Sequence, residues 1–243
     1  MMTVLIAAVV TILSMIVFAA AFHHGYRDPD ASRKGSRFLL GLGDFLVHWF
    51  MWALGPVERS LLRLGATPDH MNVGGLCFGL LSGIFIALGR LEAGGWAILL
   101  AGACDVLDGR LARELHASSS YGKFIDSTLD RFVETFAFLG FAVYFARWLG
   151  GPVIVAAGLG GSLLVSYAQA RGETVGVSGS GGLMQRGERL VLTLLGCLFD
   201  PMLSRAAGRP EGSVLLAILS LIAIGAWATA AHRTFWIARR LRQ

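Results

Sequence analysis

Charged side chains are scarce in this sequence. They make up 15% of 243 residues, whereas soluble domains carry about 25%. Apolar residues make up 55%. A helical membrane protein fits this composition; a solvated globular domain does not. Cysteine is scarce as well. Cys77, Cys104 and Cys197 are odd in number, lie in apolar runs and have no CxxC spacing, which argues against a disulfide framework or a zinc site and for packing roles. No stretch interleaves aromatic with basic residues. The net charge of +5 is therefore read as the basic bias of cytoplasmic membrane loops, with no nucleic-acid partner. The first apolar run lacks the positive n-region of a cleaved signal peptide. There is no repeat of 20–50 residues and no low-complexity segment.

Long apolar runs are what the chain does have. Met2 to Phe22 is uncharged and long enough to span a bilayer as an anchor. Residues 23–36 are polar with Pro and Gly, and read as a linker. Residues 37–64 place Phe38, Leu42, Phe45, Trp49 and Trp52 at helical spacing among Asp44, Glu58, Arg59 and Arg63, which predicts an amphipathic helix in the membrane interface. Gly55-Pro56 is expected to kink or split it. Six further runs follow at about 71–89, 94–108, 130–149, 152–170, 189–204 and 212–231. The fold class is thus all-α and integral to the membrane: six core transmembrane helices, a preceding interfacial helix and one extra N-terminal span. The expected organisation is an anchor and linker over 1–36, a juxtamembrane helix over 37–64 and a membrane domain over 65–243. Gly and Ala, abundant in the runs, suit close helix packing in lipid.

With six core spans, alternate loops fall on one side of the membrane. Seventeen of the 21 Lys and Arg residues lie on one side, and only Arg90, Arg147, Arg205 and Arg209 on the other. The positive-inside rule makes the first side cytoplasmic, with the inner membrane of a bacterium as the expected location. The segment richest in chemistry, DVLDGRLARELHASSSYGKFIDSTLD over Asp105–Asp130, falls on that side.

Asp105 and Asp108 are three apart and share one helical face, as do Asp126 and Asp130, four apart. Ser118, Ser119, Ser120 and Gly122 between them let the chain turn. Two helices can then present two carboxylate pairs to each other. Four carboxylates at a membrane boundary repel and resist desolvation. Hard divalent cations relieve both costs, and Mg²⁺ (or Mn²⁺) is the usual partner of phosphate; two ions would suit phosphoryl chemistry. Gly109 lets backbone approach a nucleotide closely, as does Gly122. Ala112 is small on the same helix, and Arg113 can grip a phosphate. His23, His24, His70 and His116 read as interfacial or hydrogen-bonding residues, not metal ligands.

Asp105-x2-Asp108-Gly109-x2-Ala112-Arg113-x8-Gly122-x3-Asp126-x3-Asp130 matches the signature of the CDP-alcohol phosphatidyltransferase family at all eight positions, and the chain resembles that family over about residues 65–235. The resemblance implies six membrane helices around the motif. It implies Asp105, Asp108 and Asp126 as metal ligands, and Asp130 as general base that also touches metal. It further implies a CDP-linked lipid donor cradled by Asp105, Asp108, Gly109, Ala112, Arg113 and Gly122, and a homodimer. Thr67-Pro68-Asp69-His70-Met71-Asn72 resembles the family's TPN-x-x-T entry to the first core helix, with Asp69 and Asn72 as departures at the nucleotide-contacting positions. The reaction so implied moves a phosphatidyl group to an acceptor alcohol and releases CMP.

A second basic cluster bears on the acceptor. Arg171 closes one run, in Ser166-Tyr167-Ala168-Gln169-Ala170-Arg171, and Arg186 and Arg189 open the next. Three guanidiniums suit a small, phosphorylated polar alcohol. The two segments resemble the branch of the family that uses inositol phosphate, with Gln169 where that branch usually carries Lys. Glycerol 3-phosphate, serine and inositol are the alternatives. Two rival classes remain: a divalent-cation transporter, which would want its acids near the midplane of broken helices, and an inactive scaffold, which should have lost a motif aspartate.

Overall fold

The computed structural model describes residues 2–25, 42–177 and 182–242. The linker read over 23–36 lies mostly outside them. Among the described residues the chain is all-helical: α1 Met2–His23, α2 Leu42–Arg63, α3 Pro68–Ala87, α4 Leu91–Glu114, α5 Ser120–Tyr144, α6 Gly151–Thr174, α7 Arg186–Ala206 and α8 Ser213–Leu241. α3, α6 and α8 are long and apolar enough to cross a membrane on composition alone. α4 and α5 have 24 and 25 residues, about 36 Å at 1.5 Å per residue, which exceeds a hydrocarbon core of about 30 Å. Their motif carboxylates lie towards one end, leaving the remainder apolar.

Two compact units are present: Met1–Gly75 with Gly102–Ser127, and Leu76–Ala101 with Thr128–Gln243. The divisions fall inside α3, α4 and α5. In the first unit α1 lies against α2 through rings. Phe18 meets Phe45 and Trp52 at centroid distances of 5.4 and 5.5 Å, and the Trp49 indole N–H donates to Ser14 Oγ at 3.0 Å. The opposite face of α1 exposes Val9, Val10, Leu13, Ile16 and Val17, an apolar surface suited to lipid. Pro56 does not split α2, which runs unbroken past it. Arg110 of α4 meets α2 on both sides of the proline. Its Nη1 donates to the Met51 carbonyl at 3.1 Å, before the proline, and its Nε meets Glu58 Oε2 at 2.6 Å, after it.

In the second unit, Ile86, Phe138, Phe141, Phe145, Leu219 and Ile222 are among the residues of a continuous apolar core. Helices approach closely where glycines meet. A Cβ at Gly83 would sit 2.3 Å from the Phe136 carbonyl oxygen, and one at Gly140 2.4 Å from that of Gly83. Such contacts between helix backbones admit no side chain at all. At the far end of α7, buried Asp200 accepts the Gly212 N–H at 2.5 Å and the Leu215 N–H at 2.9 Å. It thereby caps α8 from a neighbouring helix.

Gly140→Val should cost about 3 kcal/mol or more, because the obstructing atoms are backbone and overpacking alone costs about 1–3. Gly187→Ala, with nothing within 4 Å of the new carbon, should leave stability unchanged. Thermal unfolding in detergent measures both; an unaltered Gly140→Val melting curve would contradict the glycine seam.

Candidate active site

The α4–α5 hairpin is set by its turn. α4 ends where His116 adopts a left-handed backbone, φ 53°. The Ala117 N–H then donates to the Ala112 carbonyl at 2.8 Å and the His116 N–H to that of Arg113 at 3.1 Å, satisfying the last carbonyls of the helix. Ser119 caps α5, its Oγ accepting the Gly122 N–H at 3.0 Å. Only residues 115–119 separate the two helices, so their motif ends are adjacent.

This turn brings carboxylate oxygens of Asp105 and Asp126 within 4.8 Å of each other. Asp130 follows one turn further along α5. Asp108 lies one turn along α4 from Asp105 and is buried. Acidic oxygens this close repel unless a cation lies among them, and an all-oxygen donor set suits a hard divalent ion. A Cβ at Gly109 would meet the Arg113 guanidinium at 3.3 Å, so the glycine makes room for that side chain. Ala112, Arg113 and Gly122 are half-buried. Asp69 is exposed on the first turn of α3 and Asn72 half-buried on the next. His70 Nδ1 accepts the Thr67 N–H at 3.1 Å, a hydrogen-bonding role at the start of α3.

In the second unit, a pocket is lined by Ile98, Asp130, Val133, Glu134, Ala137, Phe138, Arg186, Arg189, Leu190 and Thr193. Arg186 Nη2 lies 2.5 Å from Asp130 Oδ1. Arg189 is almost wholly buried. Its Nε and Nη2 donate to the two oxygens of Glu134 at 2.8 and 3.2 Å, and its Nη1 to the Met184 carbonyl at 3.1 Å. The Met184 N–H in turn donates to Thr229 Oγ1 of α8 at 3.1 Å, which fixes the approach to α7 and so the pair of arginines. Chemically, a carboxylate able to take a proton and a cation able to hold an anion share one apolar-walled recess.

A sequence model described as CDP-alcohol phosphatidyltransferase matches residues 66–230. The chain belongs to that family. It is 34% identical over 205 residues to the phosphatidylinositol phosphate synthase of Streptomyces avermitilis, covering 82% of this chain and 83% of the relative. It is 35% identical over 153 residues to that of Mycobacteroides abscessus, covering 60% and 68%. The crystal structure of Mycobacterium tuberculosis phosphatidylinositol phosphate synthase (PgsA1) with CDP-DAG bound is similar at a TM-score of 0.66 and 28% identity, covering 75% of this chain and 92% of that one. The same protein in complex with manganese and citrate is similar to the same degree, covering 75% and 88%. This CDP-alcohol phosphatidyltransferase is thus an integral membrane enzyme of bacterial phospholipid synthesis. It moves a phosphatidyl group from a CDP-activated lipid to an alcohol, and CMP leaves.

The expected acceptor cations are not placed alike. Arg186 faces Asp130 in the pocket, Arg189 is held by Glu134, and Arg171 is exposed near the end of α6 and does not line the pocket. Gln169, read above as a departure, accepts through Oε1 from Arg233 Nη1 of α8 at 2.8 Å and so holds a guanidinium from another helix. Glu134, Thr193 and Arg233 were not singled out by sequence reading. Glu134 had a signal: it follows Asp130 by four residues, on the same helical face. Removing that carboxylate alone should be costly. Glu134→Ala leaves a buried guanidinium without its counter-ion, a loss of about 3–5 kcal/mol. Glu134→Leu with Arg189→Met should recover most of it. Equal losses in the single and the paired variant on thermal unfolding would contradict this.

Proposed function

We propose that the enzyme transfers a phosphatidyl group from CDP-diacylglycerol to inositol phosphate at the cytoplasmic face of a bacterial inner membrane. The observation that carries this reading is the pocket in which Asp130 and Arg186 lie 2.5 Å apart. Inositol phosphate brings both a hydroxyl to deprotonate and a phosphate to hold. The relatives named above are phosphatidylinositol phosphate synthases. Glycerol 3-phosphate, serine and inositol are the other acceptors of the same chemistry. Residues 65–243 form the catalytic membrane domain, 37–64 its juxtamembrane helix and 1–36 an anchor and linker. The working unit is a homodimer.

Asp105, Asp108, Asp126 and Asp130 hold Mg²⁺ or Mn²⁺, two ions in all, whose charge neutralises the pyrophosphate when bound. The PgsA1 structure with manganese supports this choice of ion. Asp105 and Asp108 serve the pyrophosphate, while Gly109, Ala112, Arg113, Gly122, Asp69 and Asn72 receive the CDP moiety. Arg113 offers a planar donor fork to phosphate oxygens. In the acceptor pocket, Arg186 turns from Asp130 to the acceptor phosphate, Arg189 lines the pocket in its pair with Glu134, and Arg171, outside that lining, meets the acceptor only on its way in. Asp130, released from that contact, takes the acceptor hydroxyl proton. The oxygen forms a bond to the phosphorus that carries the lipid. The bond from that phosphorus to the bridging oxygen breaks, and CMP departs with the electron pair. The apolar walls formed by Val133, Ala137 and Phe138 limit water as a competing nucleophile.

Purified protein in detergent, supplied with CDP-diacylglycerol and Mg²⁺, should release CMP when inositol phosphate is added. Chelator should abolish that release, and serine or inositol should give far less. Asp130→Asn should lose about 10²–10⁴ in rate, as expected for a missing base, while retaining CDP binding. Release with glycerol 3-phosphate alone would replace the proposed acceptor, and near-normal turnover of Asp130→Asn would remove its role as base.

A further inference from the structure

The helix α2 lies outside the residues that match the family, yet it places a carboxylate against the motif. Glu58 is buried, and its Oε2 lies 2.6 Å from Arg110 Nε, with side chains 9% and 12% exposed. Arg110 is itself inside the motif, between Gly109 and Ala112. It stands two residues past Asp108, about 200° round α4, and so leaves from the side away from that carboxylate. The same guanidinium donates to the Met51 carbonyl. Met51 and Glu58 are seven residues apart, on one face of α2 to within about 20°, and both are buried. One side chain thus engages α2 at two points.

From this geometry we infer that Glu58 is a positioning residue for the metal site, balancing the Arg110 cation and holding it on the side of the helix away from Asp108. The inference rests on the metal-site reading above. A positive charge in the motif opposes the loading of a divalent ion, and does so strongly where burial weakens screening. Paired with Glu58, Arg110 is neutralised and directed along α2. Without Glu58 one negative charge is lost beside Arg110, whose cation stays in the same turn of α4 as Asp108, and the local potential becomes more positive. The effect acts on ion affinity and not on the chemical step.

The test is Mn²⁺ binding to the purified full chain in detergent without substrates, read from the resonance signal of free Mn²⁺ and from metal-dependent thermal stabilisation. Glu58→Gln should raise the Mn²⁺ concentration for half-saturation about tenfold, while kcat at saturating metal stays within about threefold of wild type. Glu58→Gln with Arg110→Met removes both charges and should bind within about twofold of wild type. A merely structural contact would instead lower kcat and melting temperature without moving half-saturation, and that result would overturn the inference. So would a double variant as weak as Glu58→Gln. If Glu58→Gln does not fold, the double variant and Arg110→Met still decide. The proposal requires the first to match wild type and the second to bind as tightly or more tightly, and tenfold weaker binding by either overturns it. Asp126→Asn separates the two readings. Loss of Mn²⁺ binding there, with Glu58→Gln unaffected, removes only the role of Glu58. Undiminished binding by Asp126→Asn removes the metal site and this inference with it.

Discussion

Placing a charge in or near hydrocarbon is expensive unless an opposite charge or a hydrogen bond goes with it, and this cost organises the ionisable residues of the protein. Arg189 is almost fully buried and is met by both oxygens of Glu134. Arg186 is met by Asp130, Arg110 by Glu58, and Arg233 by the Gln169 side chain and the Val165 carbonyl. Each pair joins residues distant in sequence, so satisfying charge also fixes which helices lie side by side. The aspartates of the α4–α5 hairpin differ in one respect: Asp105 and Asp126 also bring carboxylate oxygens within 4.8 Å of each other, an arrangement that suits a cation.

Much of this was readable from residue spacing. Asp105, Asp108, Asp126 and Asp130 fall at three- and four-residue intervals, and Ser119 with Gly122 supplies the turn chemistry. The hairpin therefore followed from local rules. The helices also lie close to the apolar runs, with α4 and α5 longer than theirs because their charged ends continue the helix beyond the apolar stretch. Long-range pairing was not readable. Nothing in the spacing of Arg189 distinguishes a flanking basic residue from one buried against Glu134, 55 positions earlier. At Pro56 the expected split does not occur, since α2 runs on past it, and the contacts of Arg110 on either side of it come from another helix.

The acceptor pocket and the glycine seam are connected. α5 carries Asp130 and Glu134 on the turns just before Phe136 and Gly140, where its backbone touches α3 at Gly83. A helix held at backbone distance has little freedom to rotate, and its charged residues inherit that fixity. Arg189 then takes its position from Glu134, and Met184, bonded to Thr229, sets the start of α7. Precision in the recess thus comes from contacts between apolar helices as much as from its polar groups.

The short connection between α4 and α5 also bears on how the protein is made. Asp105 and Asp126 are 21 positions apart, joined by a turn that caps both helices with its own residues. Contacts so local close early. Arg186 follows Asp130 by 56 positions and meets it only after α6 and α7 have been synthesised and inserted. During biogenesis, then, the acidic hairpin is complete before Arg186 and Arg189 exist. The cation it brings with it is Arg131, whose Nη1 lies 3.7 Å from Asp130 Oδ2, so the chain carries a provisional counter-charge of its own until the later arginines arrive.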